Sequence, residues 1–591
     1  MTSGEPVIEV GKDREVPAVF FEGPQGFRHV VFRANLVFLW KERLLVDSVI
    51  VGEANEPLDG GIGPAGRSSG GDHGFQHRQG HRDTTASDTI ADLFAADGDR
   101  FKNNSWELDG VLLDLSKNRI DYAAWDGLLA LAEDAGVTAA RDAMYAGETI
   151  NTTEGRKVLH VALRDGTGIA DAGVAEDVTA TMARLAAFTQ AIHDGSLTGR
   201  TGKPFRHVIN IGIGGSHLGP MLTAEALGRA DYPEVRFAAN VDGHDLTAAL
   251  ANVDPETTLF LVGSKSFTTQ ETLTNAASAA RWLTEAVGSN AVSGHFAALT
   301  AKPDAAKAFG IAAQHIFPIW DWVGGRFSLW SAVGLPSALA MGWSAFAAML
   351  DGAHSMDRHF RDAPLAVNLP VRLALAGIWN INMEGLGALA VVPYDERLRS
   401  LPAFIQQLDM ESNGKGVTQT GAPLDVAAAP IVFGLAGTNA QHTFHQWLHQ
   451  GPLGAAVEFI GVARPDHGFS GHHDKLIANL LAQAEALALG TDGDGDVNRA
   501  CSGNRPSTTI LLEALDPKRL GMLLALYEHK VFVQGVIWGI NSFDQFGVEL
   551  GKQLAARLLP DMGEAPTGAR TYDPSTAGLL ARYRSWRGLP E

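Results

Sequence analysis

Residues 208–220 read Val-Ile-Asn-Ile-Gly-Ile-Gly-Gly-Ser-His-Leu-Gly-Pro, an apolar stretch that runs into a glycine-rich turn. The apolar residues at 208–213 predict a strand, and the residues after the turn predict a helix. Further apolar runs, most of them followed by a Gly- or Ser-rich turn and a helical stretch, lie at 237–241, 258–262, 389–392, 431–433, 457–462 and 508–512. Because these runs are largely apolar rather than alternating, they are typical of parallel strands buried on both faces.

The predicted strands fall into two groups, at about 170–340 and 375–560, which indicates an α/β fold with two doubly wound parallel-sheet sandwich domains. We assign the chain to four parts: a poorly structured or atypical N-terminal extension (1–85), a helical N-terminal segment that packs on the large domain (86–169), a first α/β domain (170–345), and a second α/β domain with a C-terminal helical tail (346–591). The stretch 52–85 lacks a strand or helix period and is interpreted as loop or disorder. Whether residues 1–85 belong to the mature protein stays open.

The composition of the chain excludes several classes of protein. With 591 residues, 45% of them hydrophobic, the chain can bury a large core. A formal net charge of −20 without a long basic run argues against nucleic acid or an anionic membrane as the main partner. The single cysteine, Cys501, excludes an intramolecular disulfide and a cysteine-built zinc site. Charges such as Lys41 and Asp47 interrupt the apolar stretch 31–51, and no secretory signal is evident, so we expect a cytoplasmic protein without a membrane span.

Two turns are candidates for binding a phosphate group. In the first, 211–220, glycines let backbone N–H groups approach an anion at a helix start, but His217 replaces the third glycine of a dinucleotide fingerprint. The second, 262–272, carries five hydroxyl residues and Lys265 at the end of a strand. The alternatives are a tight strand-to-helix turn and an ordinary capping box. Two such turns in neighbouring βα units favour a phosphate site.

Four further segments carry residues suited to acid–base chemistry. Residues 324–328 read Gly-Gly-Arg-Phe-Ser, and 408–415 place Glu411 between apolar residues and a turn. Residues 437–442 end in His442, and 543–552 read Phe-Asp-Gln-Phe-Gly-Val-Glu-Leu-Gly-Lys. Each segment by itself is also compatible with a structural turn, a solvated arginine or a helix-capping carboxylate.

Together these segments resemble the glucose-6-phosphate isomerase (phosphoglucose isomerase) family, from about Thr89 to near the C-terminus. The Gly-Gly-Arg-Phe-Ser segment and the Phe-Asp-Gln-x-Gly-Val-Glu-x-x-Lys segment match the two signature patterns of that family. The resemblance implies the sugar-isomerase type of α/β fold and the reversible isomerisation of D-glucose 6-phosphate and D-fructose 6-phosphate in glycolysis and gluconeogenesis. It further implies ring opening, proton transfer through a cis-enediol intermediate, no cofactor, and a homodimer in which the histidine reaches the site of the neighbouring subunit.

Carried over position by position, the resemblance also implies the roles of individual residues. Glu411 would be the base that moves a proton between C2 and C1, and Arg326 would stabilise the cis-enediolate. Ring opening would be assisted by His442 and Lys552. The phosphate would be held by Ser216, Ser264, Lys265, Ser266 and Thr269, and the sugar site would be lined by Gly325 and Gln407.

Chemistry supports these roles independently of the resemblance. Isomerisation through an enediol needs a partly desolvated base, for which a carboxylate suffices, and a preorganised cation for the charge that develops on O1 and O2. Arginine stays charged at any working pH. The phosphate, remote from the reacting carbons, supplies binding energy that fixes the orientation of the sugar. No redox cofactor is needed, because the reaction moves hydrogen within one molecule.

The chain departs from the family pattern at a few positions. Ser266 stands where the family usually has Thr and keeps a hydroxyl, Ala440 stands where it has Gly, and Gly539 stands where it has Asp. Residues 1–85 contain no counterpart of the helix that the family places before Thr89. None of these departures removes a proposed site residue.

Three other functions remain as alternatives. A non-catalytic sugar-phosphate sensor could keep the phosphate turns, although the joint presence of the base, the arginine, the histidine and the lysine argues against it. Another epimer, such as mannose 6-phosphate, could be accepted as substrate, and a secreted signalling role would leave no mark in the sequence.

The spacing of His442, His445 and His449 lacks a matching carboxylate, and the 492–496 acidic run lacks the required glycine of a calcium loop, so we predict no metal site.

Overall fold

The computed structural model describes residues 18–22, 28–32, 88–164, 172–565 and 571–590. The chain divides into two compact units, residues 1–70 and 71–591. In the first unit the described residues form an antiparallel pair of strands, β1 (Ala18–Glu22) and β2 (Arg28–Phe32). The loop predicted at 52–85 lies outside the described residues.

The second unit begins with short helices and a β-hairpin. Its elements are α1 (Ile90–Ala96), α2 (Arg100–Asn103), β3 (Ser105–Leu108), β4 (Val111–Asp114), α3 (Tyr122–Asp134) and α4 (Val137–Tyr145). Asp109 and Gly110 form the two-residue turn between β3 and β4, both with positive φ (48° and 78°), as the hairpin turn of this type requires. This segment was predicted to be helical, and the hairpin was not predicted.

The first sheet is parallel throughout. It contains β5 (His207–Gly212), β6 (Glu234–Ala238), β7 (Thr258–Gly263), β8 (Phe296–Thr300) and β9 (Ile316–Pro318), in the order β6-β5-β7-β8-β9. The helices before and between these strands are α5 (Ala172–His193), α6 (Leu218–Leu227), α7 (Gly243–Leu250), α8 (Gln270–Val287), α9 (Ala291–His295) and α10 (Pro303–Phe309). Strands β5, β6 and β7 were predicted, β6 three residues too late, whereas β8 and β9 were not.

The second sheet is mixed. Strands β10 (Ala388–Tyr394), β11 (Ile431–Phe433), β12 (Ala456–Val462) and β13 (Ser507–Leu512) are parallel, and β4 and β3 extend the sheet with antiparallel pairing, in the order β11-β10-β12-β13-β4-β3. All four parallel strands were predicted from their apolar runs. The second sheet was expected to be parallel throughout. This expectation is wrong, because the hairpin of β3 and β4 pairs with β13 in antiparallel orientation.

Both sheets are covered on both faces. On β7, Leu259 and Leu261 pack into one hydrophobic cluster and Phe260 and Val262 into another. On β10, residues likewise alternate between the large cluster and a third one. Side chains of successive strand residues point to opposite faces, so two clusters on one strand mean two covering layers. The doubly wound α/β class predicted from the apolar runs is confirmed.

One helix forms the centre of the second half of the chain. The helices there are α11 (Leu335–Met341), α12 (Trp343–Asp362), α13 (Leu369–Ile378), α14 (Leu401–Gln406), α15 (His445–Gln450), α16 (His472–Leu489), α17 (Pro517–Trp538), α18 (Glu549–Leu558) and α19 (Pro574–Trp586). Helix α17 is, among the described residues, the one helix long and apolar enough to cross a membrane, but 94% of its apolar window is buried inside the protein. The boundary predicted near residue 345 falls within α12, which packs against α17, and the four-part division stays a prediction.

Candidate active site

The carboxyl ends of β5 and β7 bring the two predicted phosphate turns together. Gly212 and Gly263 are paired in register, and a one-turn 3₁₀ helix, Gly214–Ser216, follows β5. A Cβ atom built on Gly212 would lie 2.9 Å from the Cβ of Ser216, and one built on Gly263 would lie 3.2 Å from it. The two glycines therefore leave the space in which the Ser216 side chain lies beside the second turn.

The second turn presents hydroxyl groups and backbone donors rather than a capping box. The hydroxyls of Ser264 and Thr269 are 3.0 Å apart, and the Ser266 hydroxyl accepts from Thr268 Oγ1 at 2.8 Å. Thr269 is the N-cap of α8 but makes no capping hydrogen bond with its side chain. In the part of the chain that the structure describes, the backbone N–H groups of Lys265 and Ser266 have no acceptor. These donors lie at a helix N-terminus, where an anion is favoured.

The Lys265 side chain fastens the second turn to the segment before the arginine. Its ammonium donates to the carbonyl oxygens of Asp321 at 2.9 Å and Val323 at 3.0 Å. Burial lowers the pKa of Lys265, and the charge of Asp321 opposes this shift. Because the ammonium is bound to these carbonyl oxygens, a hydrogen bond from Lys265 to a phosphate would come from its backbone N–H and not from its side chain.

The arginine segment touches the first phosphate turn through backbone atoms. Gly325 opens the 3₁₀ turn Gly325–Phe327, and its carbonyl oxygen accepts from Ser328 Oγ at 2.6 Å. A Cβ atom built on Gly215 would lie only 1.9 Å from that oxygen. The absence of a side chain at Gly215 is therefore what allows the phosphate turn and the arginine segment to pack as one body.

The guanidinium group of Arg326 is buried and fixed by four hydrogen bonds. It donates from Nε to Ser412 Oγ at 2.6 Å, and from Nη2 to the carbonyl oxygens of Ser542 at 2.5 Å and Asp544 at 3.1 Å. Nη1 donates to Gln545 Oε1 at 3.2 Å. The two signature segments, which are far apart in sequence, thus meet at this one group.

Glu411 lies beside this arginine on a wide helical turn. The π-helical turn Gln407–Glu411 continues α14, and such turns are frequent at functional sites. The carboxylate Oε2 accepts from Gln407 Nε2 at 2.9 Å and lies 3.6 Å from Arg326 Nη1. Burial lowers the pKa of Arg326, and the charge of Glu411 is the largest opposing influence. The Glu411 side chain is 22% exposed and that of Arg326 only 1%, so a small ligand can reach the carboxylate in front of a buried cation.

A cleft of about 390 Å³ opens at Glu411, and several residues at it were not predicted as site residues. Lys415 donates to the carbonyl oxygens of Glu411 at 3.0 Å and Asp544 at 2.7 Å and pairs with the Asp544 carboxylate at 3.0 Å. The other oxygen of that carboxylate accepts from Thr153 Oγ1 at 2.6 Å. Lys415, Asp544 and Gln545 belong to the segments quoted for the resemblance, whereas nothing in the sequence singled out Thr153.

The two residues predicted for ring opening lie apart from this pair within one chain. His442 is exposed at the end of the 3₁₀ turn Asn439–His442. The Lys552 side chain is 61% exposed on α18, and its ammonium lies 3.4 Å from Glu549 Oε1. Within the described ranges, neither residue forms a hydrogen bond or ion pair with Glu411 or Arg326. The structure therefore brings together the predicted phosphate-binding residues and the predicted base and arginine, but not His442 and Lys552.

The family departures and the histidine spacing have local explanations. Ala440 is buried and its methyl group packs in the third hydrophobic cluster. Gly539 ends α17 with φ of 66°, a left-handed cap conformation that favours glycine. His445 Nδ1 and His449 Nε2 both lie within 2.9 Å of Gln483 Oε1. Among the described residues, no three His, Cys, Asp or Glu side chains converge as a metal site.

Two donor-rich turns thus lie at the carboxyl ends of parallel strands, next to a carboxylate that faces a buried arginine. The family model named Phosphoglucose isomerase matches residues 114–580. The chain belongs to the phosphoglucose isomerase family.

Individual relatives agree with this assignment over most of the chain. It is 47% identical over 531 residues to glucose-6-phosphate isomerase 2 of Chromobacterium violaceum (86% of this chain, 96% of the relative). It is 48% identical over 535 residues to the glucose-6-phosphate isomerase of Deinococcus deserti (87% and 98%). A crystal structure of a glucose-6-phosphate isomerase from Chlamydia trachomatis superposes with a TM-score of 0.76 at 33% identity, covering 85% of this chain and 98% of that one. The predicted family, the isomerase class and the interconversion of glucose 6-phosphate and fructose 6-phosphate are confirmed.

Proposed function

We propose that this site carries out the interconversion of D-glucose 6-phosphate and D-fructose 6-phosphate, with Glu411 as the base and Arg326 as the stabilising cation. The observation that carries the proposal is the 3.6 Å separation of Glu411 Oε2, which lines the cleft, and Arg326 Nη1. A carboxylate in this position can take the proton from C2 of the open-chain sugar and return it to C1. The negative charge that forms on O1 and O2 is stabilised by the guanidinium.

The arginine is suited to this role because it is preorganised. Its four hydrogen bonds to Ser412, Ser542, Asp544 and Gln545 fix the guanidinium before substrate arrives. Donors that are already in place when charge develops stabilise a transition state without the cost of reorganisation. The Gln407 side chain holds one carboxylate oxygen of the base in the same way.

The phosphate group binds at the two turns, away from the reacting carbons. The donors are the hydroxyls of Ser216, Ser264, Ser266 and Thr269 and the backbone N–H groups of Lys265 and Ser266. Ser216 lies in the turn after β5, and the others lie before the N-terminus of α8. Gly325 and Gln407 line the path between these turns and Glu411, since Gly325 lies against the first turn and the Gln407 amide lies against Gly214. Binding energy from the phosphate fixes the sugar relative to the base. Hydrogen moves within one molecule, so the reaction needs no redox cofactor.

We assign ring opening to His442 and Lys552, with the histidine contributed by the other subunit of a homodimer. Both side chains are exposed in the single chain, and α18, which carries Lys552, has no buried residue of its own. An exposed helix that carries Leu550 (63% exposed) suits a surface that a second copy covers. With such a partner the histidine of one subunit completes the site of the other. We place the enzyme in the cytoplasm, in glycolysis and gluconeogenesis.

A coupled assay tests the base directly. Fructose 6-phosphate is supplied to the full chain without added metal, and glucose 6-phosphate formation is followed for wild type, Glu411→Gln and Glu285→Gln, an exposed carboxylate on α8 that serves as control. We expect Glu411→Gln to lower kcat by about 10³-fold or more and the control to match wild type. Wild-type turnover by folded Glu411→Gln would show that the base is another group. Binding without turnover by the wild type would favour the sensor.

Subunit complementation tests the shared site. Glu411→Gln and His442→Ala proteins are each assayed alone and after mixing under conditions that allow subunit exchange. If each site takes the base from one subunit and the histidine from the other, roughly a quarter of the sites in a random mixture regain both groups. No recovery in a mixture shown to contain heterodimers would place both residues in the same subunit's site.

A further inference from the structure

The turn that carries Glu411 also carries a buried carboxylate with a single cationic partner. Asp409, two residues before the base, is completely buried, and its Oδ2 accepts from Lys530 Nζ at 3.2 Å. Lys530 is 1% exposed and lies in the middle of α17. Within the described residues, the other oxygen of Asp409 has no hydrogen-bond partner.

The ion pair is part of a small buried network that reaches the second sheet. Lys530 Nζ lies 3.5 Å from Glu458 Oε1 on β12, and Glu458 Oε2 accepts from Tyr527 Oη at 2.7 Å. Burial lowers the pKa of Lys530, but the charges of Glu458 and Asp409 outweigh it, so that the pKa is raised and the ammonium stays charged. Burial raises the pKa of Asp409, and Lys530 opposes this shift.

Stability alone is a poor explanation for such a pair. The desolvation of two buried charges offsets most of their attraction, and well-packed apolar side chains often replace such a pair without loss of stability. What the pair does supply is a fixed direction, because the ammonium extends from a largely buried helix to one turn. Asn413, two residues after the base, donates to the Val531 carbonyl oxygen of the same helix at 3.0 Å. The turn is therefore attached to α17 on both sides of Glu411.

We propose that Asp409 and Lys530 are positioning residues, whose buried ion pair sets the orientation of the π-helical turn and thereby places the Glu411 carboxylate. The inference rests on the proposed role of Glu411 as the base. The phosphate turns follow β5 and β7 of the first sheet and make no hydrogen bond or ion pair with Asp409 or Lys530 in the described ranges. Loss of the pair therefore lowers kcat and leaves KM for fructose 6-phosphate nearly unchanged.

The expected fall in kcat follows from the geometry of proton transfer. A displacement of the reacting group by about 1 Å can lower a rate by about 100-fold. Asp409→Asn keeps the size of the side chain and removes its charge, so we expect kcat to fall by about 10- to 100-fold. KM should stay within about threefold, since it depends on the phosphate turns. Tyr527→Phe is the matched control, because it removes one buried hydrogen bond of the same network without touching the turn.

The experiment measures kcat, KM and thermal unfolding of the full chain for Asp409→Asn, Lys530→Met, their combination and Tyr527→Phe. Lys530 faces Glu458 as well as Asp409, so Asp409→Asn leaves the ammonium paired with Glu458, whereas Lys530→Met leaves two buried carboxylates without a cation. We therefore expect Asp409→Asn to be the more stable of the two, while both lower kcat. If the two residues act as one pair, the combination lowers kcat no further than Lys530→Met alone. A kcat of Asp409→Asn within threefold of wild type would overturn the positioning role. If Lys530→Met and the combination do not fold, Asp409→Asn decides alone.

A double-mutant cycle with Glu411→Gln separates this inference from the proposed function. If the pair acts through the base, adding Asp409→Asn to Glu411→Gln lowers kcat no further. A further drop equal to that seen in the wild-type background would mean that the pair acts on something other than Glu411, and the inference fails. Wild-type activity of Glu411→Gln alone would instead refute the assignment of the base, a result distinguishable from either outcome for Asp409.

Discussion

Gly215→Ala places a methyl group between the two backbones that join the first phosphate turn to the arginine segment. The new Cβ would lie 1.9 Å from the Gly325 carbonyl oxygen, and real Cβ atoms essentially never come closer than 3.0 Å, so the two backbones must separate by at least the difference, 1.1 Å. The oxygen cannot easily retreat, because Ser328 and the bonds of Arg326 hold its segment. A shift of about 1 Å between bound phosphate and the acid–base pair lowers kcat/KM by about 100-fold. Overpacking of this kind costs about 1–3 kcal/mol of unfolding free energy.

The coupled assay and thermal unfolding are measured side by side for Gly215→Ala and a control glycine. Gly243→Ala, at the start of α7 in the same half of the chain, serves as control because its Cβ would meet nothing within 4 Å. We expect the control to keep wild-type kcat/KM. A folded Gly215→Ala protein with wild-type kcat/KM would refute the reasoning that this backbone contact sets the distance between phosphate and base.

Three further predictions use the same assays. Arg326→Lys keeps the charge but not the four-bond geometry, so kcat should fall by about 10²–10³-fold, and near-wild-type kcat would contradict the preorganisation argument. Lys265→Met loses the bonds to the carbonyl oxygens of Asp321 and Val323, so the unfolding free energy should fall by about 1–3 kcal/mol in denaturant titrations, with KM rising less than in Ser264→Ala. Burial holds the pKa of His160 well below its ordinary value. The folded state keeps this histidine neutral, whereas the unfolded chain binds a proton below about pH 6.5. The stability that the neutral histidine contributes is therefore full above that pH and falls below it by up to about 1.4 kcal/mol per pH unit. His160→Gln should flatten this slope when the unfolding free energy is measured from about pH 7.5 to 5.5.

The sequence predicted those parts of the fold that are encoded locally. Strands such as β7 and β12 are largely apolar, and this signal placed them within one residue of their bounds. Strand β9 has only three residues, which are too few for a hydrophobic period to be recognised. The hairpin of β3 and β4 did carry a signal, the Asp109-Gly110 turn, but its strands are four residues each and their pairing with β13 is set by distant sequence.

The residues of the candidate site likewise divide into those that the sequence predicts and those that it does not. Short motifs place Glu411 and Arg326, because each is recognisable within a few residues of its own segment. The partners that hold them are not recognisable locally: Lys530 and Asp409 are 121 residues apart in the chain, and Thr153 and Asp544 are 391 residues apart. Lys530 lies in a largely apolar stretch of the sequence, but its partner depends on which turn the folded chain brings to it.

Glu411 and Arg326 must hold a separation of 3.6 Å although each lies on a different irregular turn. The hydrogen bond from Arg326 Nε to Ser412 Oγ, at 2.6 Å, joins the two turns directly beside Glu411. Helix α17 provides a common reference for both: Lys530 pairs with Asp409 beside the base, and Glu528 accepts from Trp330, four residues after the arginine, at 2.8 Å. Both anchors come from one turn of one buried helix, so a displacement of that helix moves the two groups together and leaves their separation unchanged. The buried Lys530 is better explained by this positioning role than by a gain in stability.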